Sequence, residues 1–191
     1  MHLLRHSFFK TQDRSRVELM PSEQILQNKP RILVIGVGNA YRGDDAVGLV
    51  VAQHLKEQAL EHVNVREEGG DGVALMESWR NADTVILVDA VYSGAKPGTL
   101  HRFDAYAQPI PVKFFHYSTH TFGIAEAIEL SRTLNQLPPR FIIYGIEGKC
   151  FEAGDGLSFE VEEAARTVVN CIQHDIYSVN PPIGCVSWPS L

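Results

Sequence analysis

One segment, Arg31–Gly48, places the strongest constraint on the fold of this 191-residue chain. It reads R-I-L-V-I-G-V-G-N-A-Y-R-G-D-D-A-V-G, so that the apolar run Ile32–Ile35 leads directly into a glycine-rich turn. A continuous apolar run is typical of a parallel strand that is buried on both faces. The glycines permit a tight turn, and apolar residues then recur at helical spacing. The segment therefore predicts a strand, a sharp turn and a helix, which is the repeating unit of open α/β sheets.

Two adjacent acids, Asp44 and Asp45, lie where the predicted strand meets the predicted helix. In open α/β sheets this edge is where ligands bind. We predict that Asp44 is the N-cap of the helix, because aspartate is a favoured residue at that position. One cap does not need two acids, so Asp45 is the stronger candidate for a functional group.

The glycines Gly36 and Gly38 also raise the alternative of a nucleotide-binding loop. A dinucleotide-binding turn needs a third glycine, and Tyr41 occupies that position. A phosphate-binding loop needs a lysine after its last glycine, whereas Gly43 is followed by Asp44. Two carboxylates at a helix N-terminus would repel a phosphate group. The residues therefore favour another kind of site.

Beyond this unit, predicted strands and helices largely alternate. The predicted strands are Ile32–Ile35, His62–Glu68, Thr84–Val88, Thr99–Phe103 and Phe141–Ile146. The predicted helices are Asp44–Gln58, a segment with Val73, Met76 and Trp79 on one face, His120–Leu134 and Leu157–Ile176. The short gap before Thr99–Phe103 indicates one antiparallel pairing. Asp104–Thr119 is predicted to be a long loop, and loops of that length in compact domains are often functional. We therefore predict an α/β fold: a single-domain, three-layer α/β/α sandwich around a mixed, mostly parallel sheet of about five strands.

Length and composition fit one such domain. The chain is 45% hydrophobic and 21% charged, which is ordinary for a globular protein. We expect residues 1–30 to form a flexible N-terminal extension, residues 31–176 the α/β/α domain, and residues 177–191 an irregular tail. The net charge of −6 and the lack of a dense basic stripe argue against a nucleic-acid partner. No apolar run approaches the roughly 20 residues that cross a membrane.

The three cysteines, Cys150, Cys171 and Cys185, are widely separated. They form no C-x-x-C pair, so they predict neither a disulfide framework nor a cysteine zinc site. Such cysteines are typical of thiols in a reducing compartment. Residues 1–30 also lack the clean apolar segment of a secretory signal. We therefore expect a cytoplasmic protein.

Three side chains are predicted to meet at one edge of the sheet. Asp45 follows the first strand, Asp89 ends the strand Thr84–Val88, and His120 begins a helix after the long loop. Two carboxylates and an imidazole suit a divalent metal that prefers oxygen and nitrogen donors, such as nickel or zinc, and they can also activate a water molecule. Simpler roles stay open at this point: Asp89 as the cap of a turn, and His120 as an ordinary helical residue. His116 is a competing imidazole.

Five motifs occur in one order along the chain. They are G-V-G-N-A-Y-R-G-D-D-A-V-G at 36–48, E-G-G-D-G at 68–72, V-D-A-V at 88–91, P-G-T at 97–99 and S-T-H-T-F-G-I-A-E-A at 118–127. In this order they resemble the hydrogenase maturation endopeptidases, the proteases that trim the large subunit of nickel–iron hydrogenases. The resemblance extends from about Arg31 to Ile172. It implies a compact α/β/α sandwich with a mixed, mostly parallel sheet.

The resemblance implies that Asp45, Asp89 and His120 correspond to the three family residues that contact metal, and we predict these three as the catalytic residues. Two roles stay open for them: activating the attacking water, or only recognising the nickel. The first of these positions is Glu or Asp in the family, and Asp45 is shorter than Glu by one methylene. The family further implies that the nickel belongs to the large-subunit precursor, whose C-terminal extension is cleaved. We therefore expect a hydrolase with no tightly bound cofactor, which meets nickel, or zinc or another divalent metal in its place, on its substrate. We also expect a monomer that binds neither nucleic acid nor a membrane.

The chain departs from the family at the glycine turn. The family pattern is Asp-Gly-Gly-Thr, whereas this chain has Glu68-Gly69-Gly70-Asp71. The sequence therefore predicts the backbone turn but assigns no substrate-selecting role to Glu68 or Asp71, which fit solvated turn residues. Two alternative functions remain: a nickel-binding checkpoint or chaperone module without peptidase activity, and a nucleotide-binding α/β protein.

Overall fold

The computed structural model describes residues 31–107, 109–110, 122–154, 156–177 and 186–187. Its strands are β1 (Ile32–Val37), β2 (Val63–Glu68), β3 (Thr84–Val91), β4 (Leu100–Asp104), β5 (Arg140–Glu147) and the two-residue β6 (Val186–Ser187). Its helices are α1 (Val47–Glu57), α2 (Gly72–Trp79), α3 (Ile124–Thr133) and α4 (Phe159–Tyr177), and a 3-10 turn, Gly43–Ala46, precedes α1. The predicted alternation of strands and helices is confirmed.

The strands form a single mixed sheet in the order β2-β1-β3-β5-β4-β6. The strands β2, β1, β3 and β5 are mutually parallel, whereas β4 runs antiparallel to β5. The mixed, mostly parallel sheet of about five strands is therefore confirmed, and β4 supplies the predicted antiparallel pairing. Val186–Ser187, within the tail predicted to be irregular, form the short β6 beside β4.

Helices cover both faces of the sheet and enclose two apolar cores. Leu33 of β1 packs on one side with Trp79 of α2 and Ile128 of α3. Its neighbour Val34 packs on the other side in a cluster with Val51 of α1 and residues of α4. Successive residues of a strand point to opposite faces, so one apolar run serves both cores. This arrangement is the predicted three-layer sandwich.

The central strand β3 is longer than predicted. The apolar run predicts an end at Val88, but the strand continues through Asp89 to Val91. Pairing between β1 and β3 ends at Val88, whereas β5 stays paired with β3 as far as Val91. The continued hydrogen bonding to β5 explains the extra residues. Asp89 therefore lies inside a strand, beyond the point where β1 has turned away.

The helix α3 begins later than the predicted start at His120. Its first residue is Ile124, and the preceding Gly123 has extended backbone angles, with φ −109° and ψ −157°. The side chain of Glu126 accepts a hydrogen bond from the Gly123 N–H (3.1 Å), which satisfies one donor at the start of the helix.

Among the described residues, no helix is long and apolar enough to span a membrane.

Candidate functional site

Close packing of β1 against α1 fixes the turn between them. A Cβ on Gly36 would overlap the carbonyl oxygen of Gly48, and one on Gly48 would overlap that of Val37. Gly38 has φ +151°, and a Cβ there would overlap the carbonyl oxygen of Asp45. These glycines are therefore required for main-chain packing. This role accounts for them without a bound nucleotide.

Asp45 lies in the 3-10 turn at the carboxyl end of β1. Its N–H donates to the carbonyl of Arg42 (3.1 Å), and its own carbonyl accepts from the N–H of Asn39 (3.3 Å). Its side chain is 15% exposed, and its carboxylate lies 4.0 Å from the Arg42 guanidinium. Burial raises the pKa of Asp45, and the positive charge of Arg42 partly opposes that rise.

Asp89 is the more deeply buried of the two predicted site acids. It is 7% exposed and lies opposite Gly145 of β5. Its Oδ1 accepts a hydrogen bond from the N–H of Ala90 (2.8 Å). Burial raises the pKa of Asp89 well above its usual range, and the negative charge of Asp45 raises it further.

The structure thus brings Asp45 and Asp89 together at the carboxyl ends of β1 and β3. Two ionised carboxylates repel each other, and a cation placed between them would relieve that repulsion. His120 and the competing His116 lie outside the described residues. Within the part of the chain that is described, no group of three or more His, Cys, Asp and Glu side chains is placed to hold a metal ion. The two acids are therefore the described portion of the predicted site.

Asp44 is not the N-cap that the sequence predicts. Ala46 takes the N-cap position of α1, because a 3-10 turn precedes the helix and carries Asp44 into the interior. The buried Asp44 carboxylate accepts hydrogen bonds from the main-chain N–H groups of Lys149, Cys150 and Ser158 and from the Ser158 hydroxyl. Asp44 thus connects the 3-10 turn that carries Asp45 to the loop between β5 and α4 by hydrogen bonds.

Glu147 is a buried acid near the site that sequence reasoning missed. Its carboxylate accepts hydrogen bonds from the N–H groups of Ser93 (2.8 Å) and Gly94 (2.9 Å) and lies 3.3 Å from His101 Nε2. Glu147 therefore caps the turn that was considered for Asp89. An acid at the end of the apolar run Phe141–Ile146 repeats the pattern that pointed to Asp89, and that signal could have identified it.

Asp71 and Glu68 at the glycine turn have structural partners. Asp71 is the N-cap of α2, and its Oδ1 accepts from the N–H of Ala74 (2.9 Å). Glu68, at the end of β2, accepts from the hydroxyl of Ser78 (2.7 Å). Both acids stabilise the start and the docking of α2, so they are more than solvated turn residues.

The chain matches a family model described as hydrogenase maturation protease over residues 49–175. It is similar to the hydrogenase 2 maturation protease of Escherichia coli K12, with 29% identity over 136 residues that cover 69% of this chain and 82% of that protein. It is also similar to the hydrogenase expression/formation protein HupD of Thiocapsa roseopersicina, with 28% identity over 124 residues. That match covers 64% of this chain and only 56% of the length of HupD.

Solved structures share the fold. An endopeptidase from Escherichia coli, determined in solution, aligns with a TM-score of 0.66 and 25% identity, over 80% of this chain and 97% of the other. The NiFe hydrogenase maturation protease HycI from Thermococcus kodakarensis KOD1 aligns with a TM-score of 0.61 and 25% identity, over 82% and 98% of the two chains.

Proposed function

Because the chain belongs to the hydrogenase maturation protease family, we propose that it is an endopeptidase acting on the large-subunit precursor of a nickel–iron hydrogenase. It removes the C-terminal extension of that precursor once nickel has been inserted. Asp45, Asp89 and His120 contact the nickel, which belongs to the substrate; zinc or another divalent metal can take its place. The relatives named as maturation proteases and the endopeptidase of similar fold support this assignment.

The observation that carries this proposal is the meeting of Asp45 and Asp89 at one edge of the sheet. Asp45 lies close enough for its charge to raise the pKa of Asp89, so the two carboxylates repel each other when both are ionised, and a divalent cation would relieve that repulsion. Carboxylate oxygens and the imidazole of His120 are donors that nickel accepts. A precursor that carries nickel therefore gains binding energy at this site, and one without nickel does not.

The same side chains can assist hydrolysis of the peptide bond. Burial raises the pKa of both acids, and the rise is much larger for Asp89 than for Asp45. Asp45 lies beside the Arg42 guanidinium, which favours its ionised form. Asp45 is therefore the better placed of the two to accept a proton from an attacking water molecule.

The proposal is tested by incubating the purified chain with nickel-loaded precursor and measuring the intact mass of the precursor. The wild-type chain shortens the precursor, whereas Asp89→Asn and His120→Ala stay folded and do not. Asp83→Asn is the matched control, because Asp83 is an acid paired with Arg31 (3.2 Å) at the opposite end of the sheet, just before β3. Normal shortening by either site variant would contradict the assignment.

A nickel-binding checkpoint module without peptidase activity shares these residues. Only product formation separates the two functions. If the wild-type chain binds the nickel-loaded precursor and leaves its mass unchanged, the checkpoint function replaces the peptidase.

A further inference from the structure

A buried carboxylate ties the turn that carries Asp45 to a loop more than 100 residues away. Oδ2 of Asp44 accepts from the N–H groups of Lys149 (2.8 Å) and Cys150 (2.9 Å) and from the hydroxyl of Ser158 (3.0 Å). Oδ1 accepts from the N–H of Ser158 (2.7 Å). The partners are 105 to 114 residues distant in sequence. Hydrogen bonds from N–H groups to a carboxylate are among the stronger ones in proteins.

The main chain of the same turn also forms hydrogen bonds with the same loop. The N–H of Asp44 donates to the carbonyl of Cys150 (2.9 Å), and the N–H of Gly43 donates to that of Gly154 (3.2 Å). In return, the N–H of Gly154 donates to the carbonyl of Tyr41 (3.2 Å). Gly43 has φ +53°, and a Cβ there would lie 2.8 Å from the Cys150 carbonyl oxygen. Side-chain and main-chain bonds thus hold residues 41–44 in one place.

The position of the Asp45 carboxylate depends on these hydrogen bonds between residues 41–44 and the loop after β5. The main chain of Asp45 bonds to Arg42 and Asn39, and its carboxylate faces the Arg42 guanidinium at 4.0 Å. These contacts all lie within the turn, so they move with it. Asp89, in contrast, is fixed by pairing of β3 with β5. Any displacement of the turn therefore changes the separation of the two acids.

We infer that Asp44 is a positioning residue, which fixes the Asp45 carboxylate relative to Asp89 through its hydrogen bonds to Lys149, Cys150 and Ser158. Asp44 is itself buried, and its carboxylate oxygens are occupied by the loop. This inference deepens the proposed function and rests on it for the kinetic test. A misplacement of about 1 Å in a reacting group can cost about 100-fold in rate.

The variant Asp44→Asn tests this role with almost no change in volume. Its amide nitrogen would face a main-chain N–H of Lys149, Cys150 or Ser158 in either orientation of the amide, because those groups are donors only. The variant therefore loses at least one bond and sets two donors against each other. The turn is expected to shift away from the loop.

Asp175→Asn is the matched control. Asp175 is a buried acid near the end of α4, the helix that Ser158 precedes, and its carboxylate accepts from Arg102 and from the hydroxyl of Tyr144 (2.6 Å). Asp175→Asn also replaces a buried acid, but this acid lies at the opposite end of α4 from Ser158 and the turn that carries Asp45. It therefore reports the effect of destabilisation alone.

The kinetic test measures cleavage of nickel-loaded precursor with enzyme in excess, at a temperature where each variant is fully folded. For Asp44→Asn we expect the maximal rate constant to fall by about 10- to 100-fold, with the half-saturating concentration within about threefold of wild type. For Asp175→Asn both values stay within about twofold. A wild-type rate constant for Asp44→Asn, or an equal loss in Asp175→Asn, would overturn the inference.

Hydrogen exchange of the free protein gives a second measurement that needs no cleavage. Asp44→Asn is expected to speed exchange of the amides of residues 42–46 by about tenfold or more, while those of β1 keep wild-type protection. Asp175→Asn leaves residues 42–46 unchanged. Unaltered exchange of the turn in Asp44→Asn would overturn the positioning role. Failure of the wild-type chain to cleave the precursor would instead contradict the proposed function and leave this exchange result to decide the role of Asp44.

Discussion

Asp89 is held in β3 with its carboxyl group buried and the charge of Asp45 nearby. Burial first, and then Asp45, raise the pKa of Asp89 in the folded protein, whereas the unfolded chain has the ordinary value. Between these two pKa values the folded state binds more protons than the unfolded state. The contribution of Asp89 to stability therefore falls as the pH rises through this window. Asp89, an acid of the candidate site, therefore lowers the stability of the folded state as the pH rises.

We predict that Asp89→Asn is more stable than wild type at neutral pH while it fails to process the precursor. Asparagine keeps an oxygen for the Ala90 N–H and is neutral without taking up a proton, which the buried carboxyl of Asp89 must do on folding. Denaturant unfolding at acidic, neutral and mildly alkaline pH measures the effect, and the gain should grow with pH up to the raised pKa of Asp89. A variant that is less stable than wild type at neutral pH would contradict this account.

Asp83→Asn provides a control of opposite sign. Hydrogen bonds from Arg31 lower the pKa of Asp83, so its stabilising contribution is present at neutral pH and is lost as the pH falls through the lowered pKa. The variant should therefore be no more stable than wild type at neutral pH. Its exposed position keeps the effect small.

The sequence singles out Asp45 because it follows an apolar run and a glycine-rich turn. It singles out Asp89 because that acid comes directly at the end of an apolar run. It misassigned Asp44, because the partners of that carboxylate lie in the loop after β5 and are joined to it only by the tertiary fold. Local propensity favours an N-cap for an aspartate before a helix. A pattern within one segment could not show that a 3-10 turn points this side chain inward.

At the scale of elements, β1 and α1 approach so closely that side chains are excluded between them. We predict that Gly36→Ala lowers the free energy of unfolding by about 3 kcal/mol or more, because the new methyl group meets main-chain atoms of Gly48, which cannot rotate away. Gly69→Ala, where no atom beyond the two adjacent residues lies within 4 Å of the added Cβ, should change it by no more than about 0.5 kcal/mol. Urea unfolding compares the two variants, and equal losses would refute the packing argument.

The N-cap of α2 allows structure and substrate selection to be separated. We predict that Asp71→Ala lowers the free energy of unfolding by about 1 kcal/mol, whereas Asp71→Ser, which can still accept from the Ala74 N–H, keeps most of it. Both variants should process nickel-loaded precursor as the wild type does. If Asp71→Ser is stable but processes poorly, the side chain contacts the substrate and the capping role is incomplete.

The predicted elements agree with the structure wherever an apolar period decided them. Two of the differences lie at ends of elements beside the candidate site, where the period carries no information. β3 extends to Val91 because of pairing with β5, and α3 starts at Ile124 because Gly123 is extended. Both ends border the site, so the sequence predicts which elements build it better than where each of them stops.

At the scale of the whole molecule, the sheet order explains how Asp45 and Asp89, which belong to distant motifs, come to lie close together. β1 and β3 are parallel neighbours, so the turn with Asp45 and the end of β3 with Asp89 reach the same edge. The glycines that first suggested a nucleotide loop serve this packing. The cytoplasmic location and the lack of nucleic-acid and membrane partners stay predictions from composition.

The oligomeric state also stays a prediction. We expect a monomer, with a mass by sedimentation equilibrium close to the 21.3 kDa of one chain. A mass of twice that value at micromolar concentration would show that the monomer prediction is wrong.

The central claim is that two acids and a histidine of this chain recognise nickel carried by the precursor. The most direct measurement compares cleavage of the same purified precursor with and without nickel, by intact mass, in the presence of the wild-type chain. The account predicts that only the nickel-loaded precursor is shortened. Equal shortening of the nickel-free precursor would contradict it.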